Sequence, residues 1–346
     1  MDPWLGRTVL DRYRLIRRIG AGGMGSVYEA EQLSVGRSVA VKLLRTEVGS
    51  DPVLRDRFRR EAEITGRLRH PHTVSLIDYG ETPEGTAIIV MELLTGKSLD
   101  GLLHERGALS LAEALRIGEQ VASSLSDAHQ RGLVHRDLKP SNIFVTKVSG
   151  EHFCKVLDFG IARFHEEGEA KLTATGQVFG TPRYMAPEQA MSAADVDARA
   201  DLYSLGLILF ECVTGQAPFR ATTAIQYLTA HSIETPPMLR SLRPDAPTEL
   251  ERLIDGLLQK DPDKRLPTPS GCSRRSRRSA TGSGGTRRKR SSFPARTTRP
   301  LRSSGERERA AIPTGRGAYG AEIYGEFDLE AGDRLLVAVG QAGSGD

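Results

Sequence analysis

The stretch His135-Arg-Asp-Leu-Lys-Pro-Ser-Asn142 decides the fold of this chain of 346 residues. It places a carboxylate (Asp137), an ammonium group (Lys139) and an amide oxygen (Asn142) close together in the sequence. Phosphoryl transfer needs a carboxylate that receives or orients the acceptor hydroxyl, a cation near the transferring phosphate, and oxygen ligands for Mg²⁺. Asp137, Lys139 and Asn142 supply these three groups in turn.

A second carboxylate follows in Asp158-Phe-Gly160, sixteen residues after Asn142. It comes directly after the apolar pair Val156-Leu157, so it stands at the end of a predicted strand. A carboxylate at a strand end that is followed by glycine suits a metal ligand on a hinge. The alternative is an ordinary β-turn, which has the same composition.

The glycine-rich stretch Gly20-Ala-Gly-Gly-Met-Gly-Ser-Val27 lies near the N-terminus. Glycines let backbone N–H groups approach phosphates without side-chain obstruction. A flexible hairpin turn and a dinucleotide-binding loop have similar sequences, but a dinucleotide loop opens a helix. Here the β-like residues 27–31 follow, which disfavours dinucleotide binding.

A lysine ends the apolar stretch Val39-Ala-Val-Lys42. Burying an unpaired ammonium group is costly, so Lys42 needs anionic partners, namely phosphates and a carboxylate on the helix predicted over residues 51–69. Glu61 is our candidate because it shares a helix face with Phe58 and Thr65. Glu63 is the competing choice, and a surface lysine on an edge strand is the simpler alternative.

These motifs occur in a fixed order that ends with Ala186-Pro-Glu188. The set resembles the eukaryotic-like (Hanks-type) protein kinases, most closely their bacterial Ser/Thr branch, over about three quarters of the chain. The resemblance implies an α+β, bilobal protein-kinase fold, with a small β-rich N-lobe that carries one regulatory helix and a larger helical C-lobe. It implies transfer of the ATP γ-phosphate to Ser/Thr hydroxyls of proteins, with Mg²⁺ as the metal and Mn²⁺ as an alternative.

The resemblance also implies roles for single residues. Asp137 is then the catalytic base and Lys139 steadies the γ-phosphate, while Asn142 and Asp158 hold Mg²⁺. Lys42 contacts the α- and β-phosphates and pairs with Glu61 in the active state. The residues implied to bind ATP are Ile19, Gly20, Gly22, Gly25, Val27, Ala40, Lys42, Met91, Glu92, Leu94 and Phe144.

Further implied roles concern the C-lobe. Glu188 forms a structural ion pair with Arg265, and Asp201 braces the catalytic loop. Lys139 and the form of residues 180–188 are typical of the Ser/Thr branch, in which Thr181 lies near Asp137 and helps to select the acceptor hydroxyl.

Arg136, beside Asp137, suggests regulation, because an activation-loop phosphate of about −1.5 to −2 charge can neutralise it and order the loop. Thr173 and Thr175 resemble the paired autophosphorylation threonines of the bacterial branch, modified in trans through a transient dimer. The alternative is a polar loop that contains threonines by composition alone.

The chain divides into four predicted parts. They are an N-terminal extension (1–12), the kinase domain (13–268), a basic Ser/Arg/Gly-rich disordered linker (269–316) and a short glycine-rich β fragment (317–346), in which alternation predicts two or three strands. Strands are predicted at 13–19, 27–31, 38–43 and 87–92, and helices at 111–130 and 201–214 besides 51–69. Two departures from the family pattern stand out. Thr65 is polar where the family is apolar, and the sequence after Arg265 predicts that the closing C-lobe helix is missing or replaced.

Charge is uneven along the chain, whose formal net charge is +4. Residues 273–309 carry 13 Lys/Arg and 2 acidic residues, a local charge of 13 − 2 = +11 that exceeds the net charge of the whole chain. The positive charge therefore lies in this stretch, and the kinase part is not a basic, nucleic-acid-like surface. A flexible linker, a shifted reading frame and a functional basic patch all explain this stretch. Nucleic acid or an anionic membrane is therefore expected as a partner only through this tail.

The three cysteines have no metal-binding or disulfide spacing, residues 1–10 contain no apolar signal segment, and no apolar run approaches the ~20 residues that span a bilayer. The sequence therefore predicts a cytoplasmic protein, and the kinase resemblance implies that its partners are protein substrates. Two other functions stay open, a pseudokinase scaffold and a signalling protein tethered to nucleic acid. The intact Lys42, Asp137, Asn142 and Asp158 argue against the scaffold.

Overall fold

The computed structural model describes residues 2–22, 25–44, 62–63, 65–148, 150–159, 182–191, 196–265, 322–328 and 334–340. The first part is a six-stranded antiparallel sheet in the order β1-β2-β3-β4-β6-β5. Its strands are β1 (Thr8–Val9), β2 (Tyr13–Gly22), β3 (Gly25–Gln32), β4 (Arg37–Leu44), β5 (Leu76–Glu81) and β6 (Ala87–Glu92). The four strands predicted here are confirmed, and β1 and β5 were not predicted.

The two faces of this sheet have different roles. Successive side chains of a strand point to opposite faces, so Val39, Val41 and Leu43 of β4 enter one apolar core, with Tyr28 of β3. Ala40 and Lys42 must then share the opposite face with the residues that pair with them across the sheet. Lys42 pairs with Val27 and Ile89, and Ala40 pairs with Met91.

Residues 2–12, which the sequence suggested were an extension, pack on this sheet. The Tyr28 hydroxyl donates to both carboxylate oxygens of Asp2, at 3.0 and 3.1 Å. Trp4 and Leu10 pack against the apolar core that contains Tyr28. These contacts make residues 2–12 part of the N-lobe.

Helices dominate the next part of the chain. They are α1 (Leu99–Arg106), α2 (Leu111–Gln130), α3 (Pro187–Met191), α4 (Ala198–Thr214), α5 (Ala224–Ile233), α6 (Leu239–Leu242) and α7 (Thr248–Leu257). A small sheet accompanies them in the order β7 (Lys97–Ser98), β8 (Ile143–Val148) and β9 (Glu151–Val156). The bilobal α+β architecture expected from the sequence is thereby confirmed.

Helix α4 is the centre of the C-lobe core. Every residue from Tyr203 to Val213 is buried, as expected for a helix in the core of a domain. The prediction of 201–214 is right at its C-terminal end, but the helix begins three residues earlier because Asp197 caps it by accepting from the Arg199 N–H. Helix α2 has the predicted bounds, with a capping box between Ser110 and Glu113.

Only the end of the helix predicted over residues 51–69 lies among the described residues. Residues 62–63 and 65 are helical, and a turn at residues 66–67 ends the helix earlier than predicted. Strands β10 (Glu322–Asp328) and β11 (Arg334–Gly340) form an antiparallel hairpin, which confirms two strands in the final segment. Residues 266–321, with the basic stretch and any closing helix, lie outside the described residues. Within the described part of the chain, no helix is long and apolar enough to cross a membrane.

Burial of His231 on α5 predicts sensitivity to acid. Its side chain is 1% exposed, and burial together with the charge of Lys260 lowers its pKa to about 4 from an ordinary 6.5. Between these values the unfolded chain binds the proton more readily, so the free energy of unfolding should fall by up to about 3 kcal/mol as the pH drops from 6.5 to 4. Urea denaturation at several pH values checks this.

The matched variants for that experiment are His231→Gln and His104→Gln, since His104 is exposed. The first should flatten the dependence of stability on pH between 6.5 and 4, and the second should leave it unchanged. Equal slopes for the wild type and both variants would contradict the assignment.

Candidate active site

The catalytic loop is held by a buried carboxylate. Asp201 of α4 accepts hydrogen bonds from the backbone N–H groups of His135 and Arg136, both at 2.8 Å, and contacts His129 Nε2 at 2.7 Å. Burial alone raises the pKa of the Asp201 carboxyl, but the hydrogen bond and charge of His129 keep it below its ordinary value. Asp201 therefore braces the loop as an anion, in the position that the resemblance implied.

The loop adopts an uncommon backbone conformation next to Asp137. Arg136 has φ of 67°, in the left-handed region that non-glycine residues rarely occupy. Such conformations persist only where the surroundings impose them, and here the bonds to Asp201 do so.

Three polar side chains meet in this loop. Lys139 Nζ lies 2.7 Å from Asp137 Oδ2, and Asn142 Nδ2 donates to the Asp137 carbonyl at 2.8 Å and to Oδ2 at 3.3 Å. The Asp137 side chain is 31% exposed, so an acceptor can approach it. Asp137 Oδ1 makes none of these contacts and can accept a hydroxyl proton.

Lys42 and Asp158 join the two lobes. The Lys42 ammonium, on a side chain only 6% exposed, lies 2.7 Å from Asp158 Oδ2. Burial alone raises the pKa of the Asp158 carboxyl, but the charge and hydrogen bond of Lys42 hold it below its usual range. This ion pair satisfies the buried ammonium group, as Lys42 requires.

The two proposed metal ligands are neighbours. Leu157 N–H donates to the Asn142 carbonyl at 2.8 Å, which brings Asn142 beside Asp158. Because the Asn142 amide nitrogen is used by Asp137, its Oδ1 is the atom that can face a cation. No cluster of three or more His, Cys, Asp or Glu suited to a metal occurs among the described residues. An amide and a carboxylate oxygen fit Mg²⁺, which usually takes one or two protein ligands plus substrate phosphates and water.

The residues expected around adenine lie on one face of the N-lobe sheet, at the end of β2 and on β8. Val27, Ala40 and Met91 share the sheet face of Lys42, and Phe144 stands on β8. Ile19, Gly20 and Gly22 lie at the end of β2, where Gly20 pairs with Val27. Gly25 has φ of 149°, and a Cβ there would lie 2.0 Å from the Leu43 carbonyl oxygen, so this turn requires glycine.

The segment that follows Met91 is held by a lysine that the sequence reasoning missed. Glu92 Oε1 accepts from the Ser75 N–H at 2.7 Å and from Lys155 Nζ at 2.8 Å. Lys155 also donates to the Thr73 carbonyl at 3.3 Å. In the sequence, Lys155 lies between the apolar residues Cys154 and Val156, and this alternation indicates only that its side chain points away from the core. No local signal therefore identifies its contact with Glu92.

A second missed residue is Gly96, four residues beyond Glu92. It has φ of 148°, and a Cβ there would lie 2.4 Å from the Val145 carbonyl oxygen. Only glycine allows the chain to approach β8 so closely. Leu94, expected to bind adenine, is half-buried between these two constraints.

The resemblance implies that the segment after Met91 binds adenine, so we expect loss of the Lys155 contact to weaken ATP binding. In Lys155→Met the carboxylate of Glu92 loses its cation, so we expect the KM for ATP to rise about 3- to 10-fold with kcat nearly unchanged. Steady-state phosphoryl-transfer kinetics measure this. Lys147→Met is the matched control, because Lys147 is exposed on β8. An unchanged KM in Lys155→Met would contradict a role for this contact.

Glu188 and Arg265 form an ion pair within the C-lobe. Arg265 contacts both carboxylate oxygens of Glu188, through Nη1 and, at 2.7 Å, through Nη2. Its other donors reach the carbonyls of Gln259 (2.7 Å), Arg199 (2.9 Å) and Lys260 (3.2 Å). The side chain of Arg265 is fully buried. All five of its N–H groups are thereby satisfied.

Some expected residues lie outside the described part of the chain, namely Glu61, Thr173, Thr175 and Thr181. Glu63, the alternative to Glu61, is exposed and accepts from the Tyr79 hydroxyl at 3.3 Å, so it does not serve Lys42. The polar Thr65 has its hydroxyl 3.5 Å from the Phe159 carbonyl, a distance at the limit of a hydrogen bond.

Comparison with known proteins gives a consistent family. A family model described as protein kinase domain matches residues 13–275. The Ser/Thr-protein kinase pkn3 of Myxococcus xanthus is 43% identical over 270 residues, which are 76% of this chain and 49% of that protein. PknA of Mycobacterium tuberculosis is 45% identical over 269 residues, 77% of this chain and 60% of that protein. The chain thus spans about half to three fifths of the length of these curated relatives.

Solved structures show the same fold. The kinase domain of Mycobacterium tuberculosis PknI superposes with a TM-score of 0.61 at 31% identity, covering 77% of this chain and 94% of that domain. A structure of Rad53 in complex with AMP-PNP has a TM-score of 0.62 at 26% identity, covering 75% of this chain and 64% of that one. Together with the loop held by Asp201 and the pairing of Lys42 with Asp158, these similarities show that the chain belongs to the protein kinase family, in its eukaryotic-like (Hanks-type) bacterial Ser/Thr branch.

Proposed function

We propose that this chain transfers the γ-phosphate of ATP to Ser and Thr hydroxyls of proteins. The observation that carries the proposal is the convergence of two groups of residues. Lys42 of the N-lobe sheet pairs with Asp158, and Asp158 neighbours the loop in which Asp137, Lys139 and Asn142 meet. This arrangement offers a cation, two metal ligands and a base along the path that a transferring phosphate must take.

Each side chain then has one task. Asp137 accepts the hydrogen bond of the acceptor hydroxyl and orients it, and Lys139 stabilises negative charge on the γ-phosphate. Lys42 contacts the α- and β-phosphates. Asn142 and Asp158 would hold Mg²⁺, or Mn²⁺ in its place, which would supply positive charge against the phosphates. Most of the rate enhancement in such a site comes from positioning and electrostatics.

The ATP-binding residues are proposed to be those on the sheet face of Lys42 and on the segment that follows Met91. The ATP analogue bound to Rad53 supports nucleotide binding by this fold. Val27 and Ala40 would contact one side of the adenine ring and Phe144 the other, while the backbones of Glu92 and Leu94 bind its edge.

Regulation is proposed to act through autophosphorylation of Thr173 and Thr175 in trans, in a transient dimer. Arg136 supports this because its charge lies one residue from the catalytic base. Phosphosite mapping of active protein tests it, and finding neither threonine modified would contradict it. Mixing wild type with inactive Asp137→Asn chains should label the inactive chain if the reaction occurs in trans.

The wider organisation is also proposed. The kinase domain is proposed to span residues 13–268, with residues 2–12 packed on its N-lobe sheet, and to be followed by a basic linker to 316 and a β fragment to 346. The protein is proposed to act on protein substrates in the cytoplasm. The buried, unpaired thiols of Cys154 and Cys212 agree with a reducing compartment. Binding of nucleic acid is proposed only for the basic tail.

Radiolabelled ATP tests the activity directly. We expect Mg²⁺-dependent labelling of a generic basic protein on Ser and Thr, abolished by a chelator and absent from Tyr in phosphoamino-acid analysis. Folded wild-type chain that binds ATP but transfers no label would favour a pseudokinase scaffold.

A further inference from the structure

Residues 182–189 lie beside the catalytic loop. Gln189 Nε2 donates to the Arg136 carbonyl at 2.7 Å, and Gln189 Oε1 accepts from the Ala186 N–H at 3.0 Å. This links the segment to the residue that precedes Asp137. An acceptor whose hydroxyl reaches Asp137 must therefore pass close to this segment.

A chain of three hydrogen-bonded side chains reaches the same segment through His231 of α5. Lys260 Nζ contacts the Tyr203 hydroxyl at 3.1 Å, this hydroxyl lies 3.1 Å from His231 Nδ1, and His231 Nε2 lies 3.1 Å from the Arg183 carbonyl. Tyr203 and His231 are almost completely buried. Lys260 further contacts the Phe219 ring, 4.4 Å from its centroid.

The chemistry of these groups allows one direction of hydrogen bonding. A carbonyl oxygen only accepts, so His231 Nε2 must donate to Arg183. In the neutral ring, Nδ1 then accepts from the Tyr203 hydroxyl, whose oxygen in turn accepts from the Lys260 ammonium. Every link depends on the one before it, so loss of the hydroxyl would leave both neighbours with one partner fewer.

The ring of His231 is also fixed by packing. It meets Phe219 edge-on at 5.1 Å and stacks on Tyr227 at 6.3 Å. Nε2 thus has a defined direction, towards the Arg183 carbonyl.

The same short segment is held through its side chains by α4. Arg183 pairs with Glu211, and the Tyr184 hydroxyl donates to Glu211 Oε2 at 2.6 Å. Ser204 donates to the Tyr184 carbonyl at 2.7 Å. Among the contacts described for the Arg183 carbonyl, only His231 binds it. The backbone of Arg183 is thus held by α5, and its side chain is held by α4.

We propose that His231 is a positioning residue for the protein acceptor. By donating to the Arg183 carbonyl it sets the position of residues 182–184 relative to Asp137, and so the affinity for the acceptor and not for ATP. The inference rests on the proposed kinase activity. ATP should be unaffected because its expected site is built from the N-lobe sheet, β8 and the catalytic loop. The contacts described for His231 are instead with Arg183, Tyr203, Phe219 and Tyr227.

Two substitutions of His231 distinguish the roles of its two ring nitrogen atoms. The amide nitrogen of glutamine can take the place of Nε2 and donate to Arg183, whereas the shorter asparagine replaces only Nδ1. We expect His231→Asn to raise the KM for a fixed Thr-containing acceptor peptide at least about 5-fold, with kcat and the KM for ATP within about 2-fold of wild type. His231→Gln should restore the KM for the peptide to within about 2-fold.

The measurement uses the full chain, with initial rates at varied peptide and varied ATP, and a thermal melt of each variant. A folded His231→Asn with an unchanged KM for the peptide would overturn the inference, as would equal effects of both substitutions on kcat alone. If His231→Asn does not fold, Tyr203→Phe tests the inference instead, because it removes only the hydroxyl that contacts His231 Nδ1. An increase of about 2- to 5-fold in the KM for the peptide supports the inference, and no increase overturns it.

Failure of the proposed activity has a different signature. A wild-type chain that binds ATP and transfers nothing to any acceptor refutes the kinase function, and this inference with it. If the wild-type chain transfers phosphate and the folded variants have unchanged peptide kinetics, only the role of His231 is refuted.

Discussion

Asp137→Asn should lower kcat for phosphoryl transfer by about 10²- to 10⁴-fold, the usual contribution of a general base. The amide keeps the shape of the side chain but cannot accept the hydroxyl proton, and it leaves Lys139 without its carboxylate partner. The bond from Asn142 to the backbone carbonyl of residue 137 stays in place, so the metal ligand keeps its orientation. The KM for ATP should therefore change less than about 3-fold.

The control for this prediction is Glu105→Gln. It makes the same change from carboxylate to amide in an exposed ion pair with Lys97, which should contribute little. Its kcat should match that of the wild type. If Asp137→Asn keeps its kcat within about 10-fold of the wild type, Asp137 is not the base.

Arg265→Ala should reduce the free energy of unfolding by about 3–5 kcal/mol, the cost of breaking a buried ion pair by removing one partner. The substitution leaves the carboxylate of Glu188 and the carbonyls of Gln259, Arg199 and Lys260 without their donor. Domains are stable by only about 5–15 kcal/mol, so this loss is a large share of the total. Urea denaturation followed by circular dichroism measures it.

Neighbouring Lys264 provides the control. Its side chain is 72% exposed, and its contact with Asp261 is 3.9 Å long, so Lys264→Ala should change stability by less than about 0.5 kcal/mol. Arg265→Lys should fall between the two, because lysine keeps the charge but lacks the five-donor fork. Equal stability of Arg265→Ala and the wild type would refute the structural importance of this pair.

The elements that the sequence predicted well are those with strong local patterns. Residues 111–130 have a clear helical period and a capping box, and α2 has those bounds. The start of α4 was placed three residues late because the cap at Asp197 was not considered. Strands β1 and β5 were missed: β1 has two residues, and β5 is half-buried without clear alternation.

For the candidate site, the sequence identified residues that lie in compact motifs. Asp137, Lys139 and Asn142 occur within six residues of one another, and the structure places them in contact. It did not identify Lys155 or Gly96, which support the segment after Met91. The local sequence around Lys155 looks like that of any exposed lysine in a strand, and the sequence around Gly96 looks like that of any glycine in a loop.

The sequence by itself determined the family of this chain, its two-lobed order and the residues that we propose to bind phosphate and metal. These properties depend on residue types at short spacings, which a linear chain displays directly. Tertiary structure decided the partners: Asp158 for Lys42, 116 positions away, and Arg183 for His231, 48 positions away. The physical reason is that packing of whole helices and strands sets which distant side chains meet, and a buried polar group then needs whichever partner that packing provides.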